Sequence, residues 1–309
     1  MPRIAQAYSV DFAHPRGEAS LVPPESPQWR VLKNPVATAI GGVAAVLLEF
    51  ADPRIRSGVW DHSTFRTDPV GRSQRTGTAA MVGVFGPAST ARKIIGGVNR
   101  MHRKVVGHTP GGEPYAALSP ELLDWVSATA GYCFLEAYHR FVAPISAADR
   151  LHYYRDGEVV ARLYGVEQPL RCDADFFARL DRLFPRFEPH EINRAFLAII
   201  TSGRAAPAVP TMLRQALVRA AVSIVPDTVR SRLALTPDFA MRPTDRLLAR
   251  AAGLAAEQFG RRGSPPWQAA IRLGLPGYFA WLSPARQQRV LARMAHSPPT
   301  AAAQPHPSG

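Results

Sequence analysis

Apolar residues recur along this chain at the three-to-four-residue spacing of amphipathic helices, and runs that alternate in strand fashion are scarce. The densest run, residues 36–50, is apolar at nearly every position. It predicts a buried helix closed by Asp52-Pro53, because proline cannot continue a helix. Residues 87–106 predict a second helix, with Ile94, Ile95, Val98, Met101, His102 and Val105 on one stripe and Arg100, Arg103 and Lys104 off it. Residues 107–112 read as a loop on their glycines and proline. Ser119-Pro120 then places a capping residue before a proline at the first helical position. The helix it opens runs to Phe141, with Leu122, Val126, Ala130, Cys133, Ala137 and Phe141 inward. Further helices are expected over 146–155, 174–184, 190–202, 209–224, 243–259 and 284–294, and residues 158–164 are the best candidate for a strand. The pattern predicts an all-α fold, a single multi-helix domain packed in the style of a globin with at most a minor β-hairpin. An N-terminal arm over 1–24 with little core content precedes that domain (25–295), and a tail of Pro, Ala and Ser over 296–309, expected to be disordered, follows it.

Composition narrows the class. Hydrophobic residues make up 46% of 309, enough for a real core and too many for a disordered body. Cys133 and Cys172 are the only cysteines and no C-x-x-C occurs, which excludes a disulfide framework, a zinc ribbon and a thioredoxin-type site. The first residues turn polar and prolyl too soon for a signal peptide, and the apolar run at 36–48 falls short of the roughly twenty residues that span a bilayer. A soluble cytoplasmic protein is the expectation. The net charge of +13 points toward nucleic acid or an anionic membrane surface, and seven of those charges fall between Arg242 and Arg293, where nine arginines face only Asp245 and Glu257. That stretch has no interleaved aromatics, zinc-finger spacing or RNP-like run, so it reads as a solvated arginine face and no specific nucleic-acid partner is expected.

Most chemical motifs are missing, including dinucleotide and phosphate loops, H-E-x-x-H and G-x-S-x-G. His102 stands out because it lies on the apolar stripe of a helix, as either a core residue or a ligand. Gly96-Gly97 precede it, which lets something flat approach the backbone, or another helix pack tightly. Upstream lie His62, Asp68-Pro69, Arg72, Arg75 and Thr76, with His62 read as helping to hold the Asp68-Pro69 turn. Arg72, Arg75 and Thr76 have i, i+3, i+4 spacing and share one helical face between Gly71 and Gly77. Two guanidiniums and a hydroxyl there suit an anion such as a propionate, or dioxygen; the plain alternative is surface charge.

The order Asp61-His62-Ser63-x-Phe65-x-x-Asp68-Pro69-x-x-Arg72-x-x-x-Thr76, then Asn99-Arg100-Met101-His102-Arg103-x-Val105-x-Gly107, then Gly112-x-x-Tyr115-x-Ala117 and Trp125-Val126 resembles the DUF2236 family of MpaB-type oxygenases, which includes the latex-clearing rubber oxygenase. Tyr153-Tyr154 and Leu163-Tyr164-Gly165-Val166 fit the same pattern. The resemblance implies a mostly helical fold, a non-covalent haem b, and oxidation of an apolar small molecule by dioxygen. It makes His102 the proximal iron ligand and Arg72 and Thr76 the distal pair. Arg75 stands where the latex-clearing enzyme has a lysine able to cap the iron, and together with Arg72 it is also a candidate for holding the cofactor. Two further departures are Ser127, where the motif has histidine, and the lack of an acid at Arg56 and its neighbours, where the latex-clearing enzyme has its proposed base. The alternatives are a haem carrier or gas sensor without turnover, and a basic helical protein that binds nucleic acid or a membrane surface.

Overall fold

The computed structural model describes residues 10–65, 67–204, 208–235, 237–258 and 262–296. The first half of the chain forms α1 (Pro27–Leu32), α2 (Pro35–Glu49), α3 (Pro53–His62), α4 (Pro69–Phe85), α5 (Ala88–His102), α6 (Pro120–Phe141) and α7 (Ala147–Leu163). The second half forms α8 (Asp173–Leu183), α9 (Glu191–Thr201), α10 (Thr211–Ile224), α11 (Asp227–Arg232), α12 (Pro243–Gln258), α13 (Pro265–Arg272) and α14 (Pro284–His296). Between α5 and α6, β1 (Val106–His108) pairs antiparallel with β2 (Pro114–Ala116), matching Gly107 to Tyr115. The fold is all-α with one small hairpin. Residues 1–9, the expected disordered tail after His296, and Arg261 of the arginine stretch lie outside the described residues.

Local chemistry explains most boundaries. Ser26, Asn34, Asp52, Asp68, Ser119 and Ser264 each stand immediately before a proline that opens a helix. Proline lacks the N–H that a first turn leaves unpaired, and its fixed φ suits that turn. Asn34 Oδ1 accepts from the backbone N–H groups of Val36 and Ala37, both at 3.1 Å, and Asp68 Oδ1 accepts from that of Gly71 at 2.9 Å. Pro53, expected to close α2, therefore opens α3.

The expected strand at 158–164 is instead the last part of α7. Glu158 and Arg162 pair across one helical turn at 3.1 Å, support that a strand would not provide. Gly165, at φ +92°, ends the helix. α5 stops at His102, four residues short of expectation, because Val106 enters the hairpin.

The core is organised around α2, which packs on α6, α10 and α12. Ala37, Ile40, Ala44, Ala45, Leu47 and Leu48 are buried. α2 crosses α6 so closely at Gly41 that a Cβ there would lie 2.8 Å from both the Cys133 carbonyl oxygen and Phe134 Cα. On α6, Leu122, Cys133, Ala137 and Phe141 point inward as expected, whereas Val126 is exposed. Among the described residues no single helix is long and apolar enough to cross a membrane, and α2 followed by α3 is bent by 113°.

Residues 10–24, expected to carry little core content, are pinned to the body. Phe12 and Val22 are buried, and the Arg272 guanidinium donates to the carbonyls of Phe12 (2.6 Å) and Glu18 (2.8 Å) and to Ser20 Oγ (2.6 Å).

Candidate functional site

α4 and α5 are joined only by Gly86-Pro87, so the chain folds back on itself as a helical hairpin. Arg72 and His102 each lie about four turns from that corner and are brought level across the pair. The Arg72 charge is close enough to His102 to act with burial in holding the imidazole pKa below its ordinary value. The ring is therefore neutral at neutral pH, the form that offers a lone pair to a metal. It is partly exposed, but Nδ1 is buried without a hydrogen-bond partner.

The third member of this centre was not among the expected site residues. Glu49, the last residue of α2, keeps some accessible surface, yet its carboxyl is deeply desolvated. Burial pushes its pKa up to about 7, against the opposing pull of a hydrogen bond from Thr129 Oγ1 (3.1 Å) and of the Arg72 charge. Burial lowers the Arg72 pKa, Glu49 opposes that shift, and Arg75 adds to it. A signal for Glu49 does exist in the sequence. It is the only charged residue of α2, and it sits at the C-terminal end, where the helix dipole disfavours an anion. Leading to it along α2 is a partly exposed apolar stripe of Ala39, Gly42, Val43 and Val46.

Other expected residues are placed differently. Arg75 donates to Thr64 Oγ1 (2.6 Å) and to Asp68 Oδ2 (3.4 Å), which ties it to the start of α4. The Thr76 hydroxyl donates to the Arg72 carbonyl at 3.0 Å. His62, expected to hold the Asp68-Pro69 turn, instead lies 3.2 Å from the Tyr115 hydroxyl through Nε2, and Asp68 caps that turn itself. Gly96 and Gly97 are not there for helix packing, since a Cβ on either would meet only the Arg100 guanidinium within 4 Å. At about 100° per residue they stand roughly 120–140° around α5 from His102, so they do not border its ring. Trp125 is fully buried, donating to the Leu48 carbonyl at 3.3 Å, and Ser127 beside it is partly exposed.

Two crevices open elsewhere, one of about 430 Å³ at Ser202–Arg214 and one of about 360 Å³ lined by Arg56, Glu113, Arg186, Glu188 and His190. Neither includes Glu49, Arg72 or His102. In the second, Arg56 is paired with Glu188 and Arg186 with Glu113, both at 2.5 Å, so its charge is already balanced. Among the described residues no group of three or more His, Cys, Asp or Glu side chains could hold a metal ion by itself.

Fourteen helices among the described residues, with α2 at their centre, and an imidazole, a guanidinium and a carboxyl that act on one another between the end of α2 and the α4–α5 hairpin, define an all-α protein with a candidate polar centre. Residues 29–297 match the family described as ER-bound oxygenase mpaB/B'/rubber oxygenase, catalytic domain, and the chain belongs to that family. No curated protein and no solved structure matches it.

Proposed function

We propose that this member of the family is a haem b-dependent oxygenase that acts with dioxygen on an apolar small molecule, with His102 as the iron ligand. His102 carries the reading: a neutral, partly exposed imidazole with a buried, unpartnered Nδ1, next to a partly buried arginine. A single histidine with no companion ligands suits iron that a macrocycle already holds on four sides, and does not suit a bare ion. Haem, when bound, supplies the redox chemistry that activates dioxygen.

The chain's own residues do the rest. Arg72 is a permanent cation held in a desolvated setting, where its donors act strongly on an anion or a polar oxygen. Glu49, titrating near neutral pH, can hold or release a proton beside it. Arg75, by gripping Thr64 and Asp68, fixes the first turn of α4 and with it the position of Arg72. Thr76 keeps its oxygen lone pairs free while its proton goes to the Arg72 carbonyl. The stripe from Ala39 to Val46 offers an apolar wall for substrate.

The test is a haemin titration of the purified protein and of His102→Ala, followed by the Soret band. Wild type should saturate with one haem per chain, and the variant should lose most of its affinity. Undiminished binding with an unchanged spectrum in His102→Ala would refute the assignment. Oxygen uptake with a reductant and a panel of apolar substrates then separates an oxygenase from a carrier or sensor. An Arg72→Ala variant that keeps haem but loses uptake places Arg72 at the reacting oxygen, whereas one that loses haem places it on a propionate.

A further inference from the structure

We infer that Asn99 is the positioning residue for His102: its side-chain oxygen accepts the Nδ1 proton of the ring and so fixes the tautomer that leaves Nε2 free for iron. This rests on the haem reading above. Asn99 lies three residues before His102 on α5, so their Cβ atoms are neighbours on one face. Helical side chains lean toward the N-terminus, which carries the imidazole back over the turn that holds Asn99.

Hydrogen bonding fixes the orientation of the amide. Asn99 Nδ2 donates to the Leu163 carbonyl at the end of α7, at 2.9 Å. A carbonyl only accepts, so the amide cannot be flipped, and Oδ1 is directed away from that contact. Asn99 Oδ1 and His102 Nδ1 are then both buried and both without a partner. One is an acceptor, and the other becomes a donor in the Nδ1-protonated tautomer. A hydrogen bond between them would satisfy both at once. Arg72, the other polar group shown to act on the ring, has donors only and cannot serve. A histidine that ligates a metal needs such an acceptor, and its loss typically weakens metal binding about 10–100-fold.

The experiment uses the haem-loaded full chain with Asn99→Leu and Asn99→Asp, reading haem affinity and the iron–histidine stretching frequency of the ferrous protein by resonance Raman. Neither replacement can donate to Leu163, so a role limited to tethering α5 to α7 would affect both alike. The inference expects a split. Asn99→Leu should lose affinity by about 10-fold or more and shift the stretch to lower frequency. Asn99→Asp, a stronger acceptor, should shift it to higher frequency and keep the greater affinity. Shifts in the same direction, or none, overturn the inference. If Asn99→Leu does not fold, the direction of the Asn99→Asp shift decides alone. Wild-type protein that takes no haem, or that binds it without needing His102, removes the haem reading and this inference together. Wild type that binds through His102 while the Asn99 variants leave the stretch unmoved overturns the inference only.

Discussion

Glu49 holds a buried carboxyl at the wrong end of a helix dipole, and only a threonine hydroxyl and a neighbouring arginine offset the cost. Its folded-state pKa, about 7, lies above the usual value of 4.5. Between those two values the folded chain keeps a proton that the unfolded chain has released, so this group makes stability fall as pH rises through that window. Glu49→Gln removes the effect. The variant should match wild type in urea unfolding at pH 5 and exceed it at pH 8 by on the order of 2 kcal/mol. An equal difference at both pH values would mean that ionisation is not responsible. The sequence made Arg72 and His102 legible because motif spacing reports local neighbours on α4 and α5. Glu49 lies on a third helix, and nothing in local spacing says that α2 ends beside that hairpin. Its isolation in an apolar run was the available signal.

At the scale of elements, proline was the misleading residue. Read as a stop, Pro53 hid α3, and the short helices α1, α11 and α13, six to eight residues each, lie in proline-bearing stretches where so little periodicity is too weak to register. The long helices α2, α6, α10 and α12 were legible because each buries a continuous face. Adjacent glycines of α2 separate packing from propensity. A Cβ at Gly41 would meet backbone of α6, which cannot swing aside, whereas one at Gly42 would meet only Phe134 Cε1 at 3.8 Å. Gly41→Ala should therefore destabilise by roughly 1–3 kcal/mol, overlap outweighing the helix propensity gained. Gly42→Ala should stabilise by roughly 0.5–1 kcal/mol. Thermal unfolding of the two single variants checks the pair, and the same sign for both would contradict the close crossing of α2 and α6.

Over the whole molecule, counting charge along the chain treated the arginines of 242–293 as one solvated face, and the fold divides them. Arg242, Arg246 and Arg250 are exposed on or beside α12, while Arg272 is 1% exposed and works as an internal staple. It joins α13 to residues 12–20, more than 250 positions away in sequence, a partnership that no local pattern could announce. Its three hydrogen-bond acceptors are two backbone carbonyls and a hydroxyl, and the charges of Glu18 and Asp11 attract the guanidinium from nearby. Arg272→Met keeps most of the apolar stem and removes the donors, leaving the carbonyls of Phe12 and Glu18 to find water. Unpaired buried groups cost about 1–3 kcal/mol each, partly relieved if the arm peels away. The arm should then detach before the body unfolds. Arg16, already exposed within it, offers trypsin a cleavage point once the segment can extend into the protease. Limited trypsin digestion under native conditions should cut Arg272→Met after Arg16 much faster than wild type. The α4–α5 hairpin should stay intact, and haemin binding should be unchanged. Cleavage at Arg16 no faster than in wild type would show that Phe12 and Val22 hold the arm without the staple.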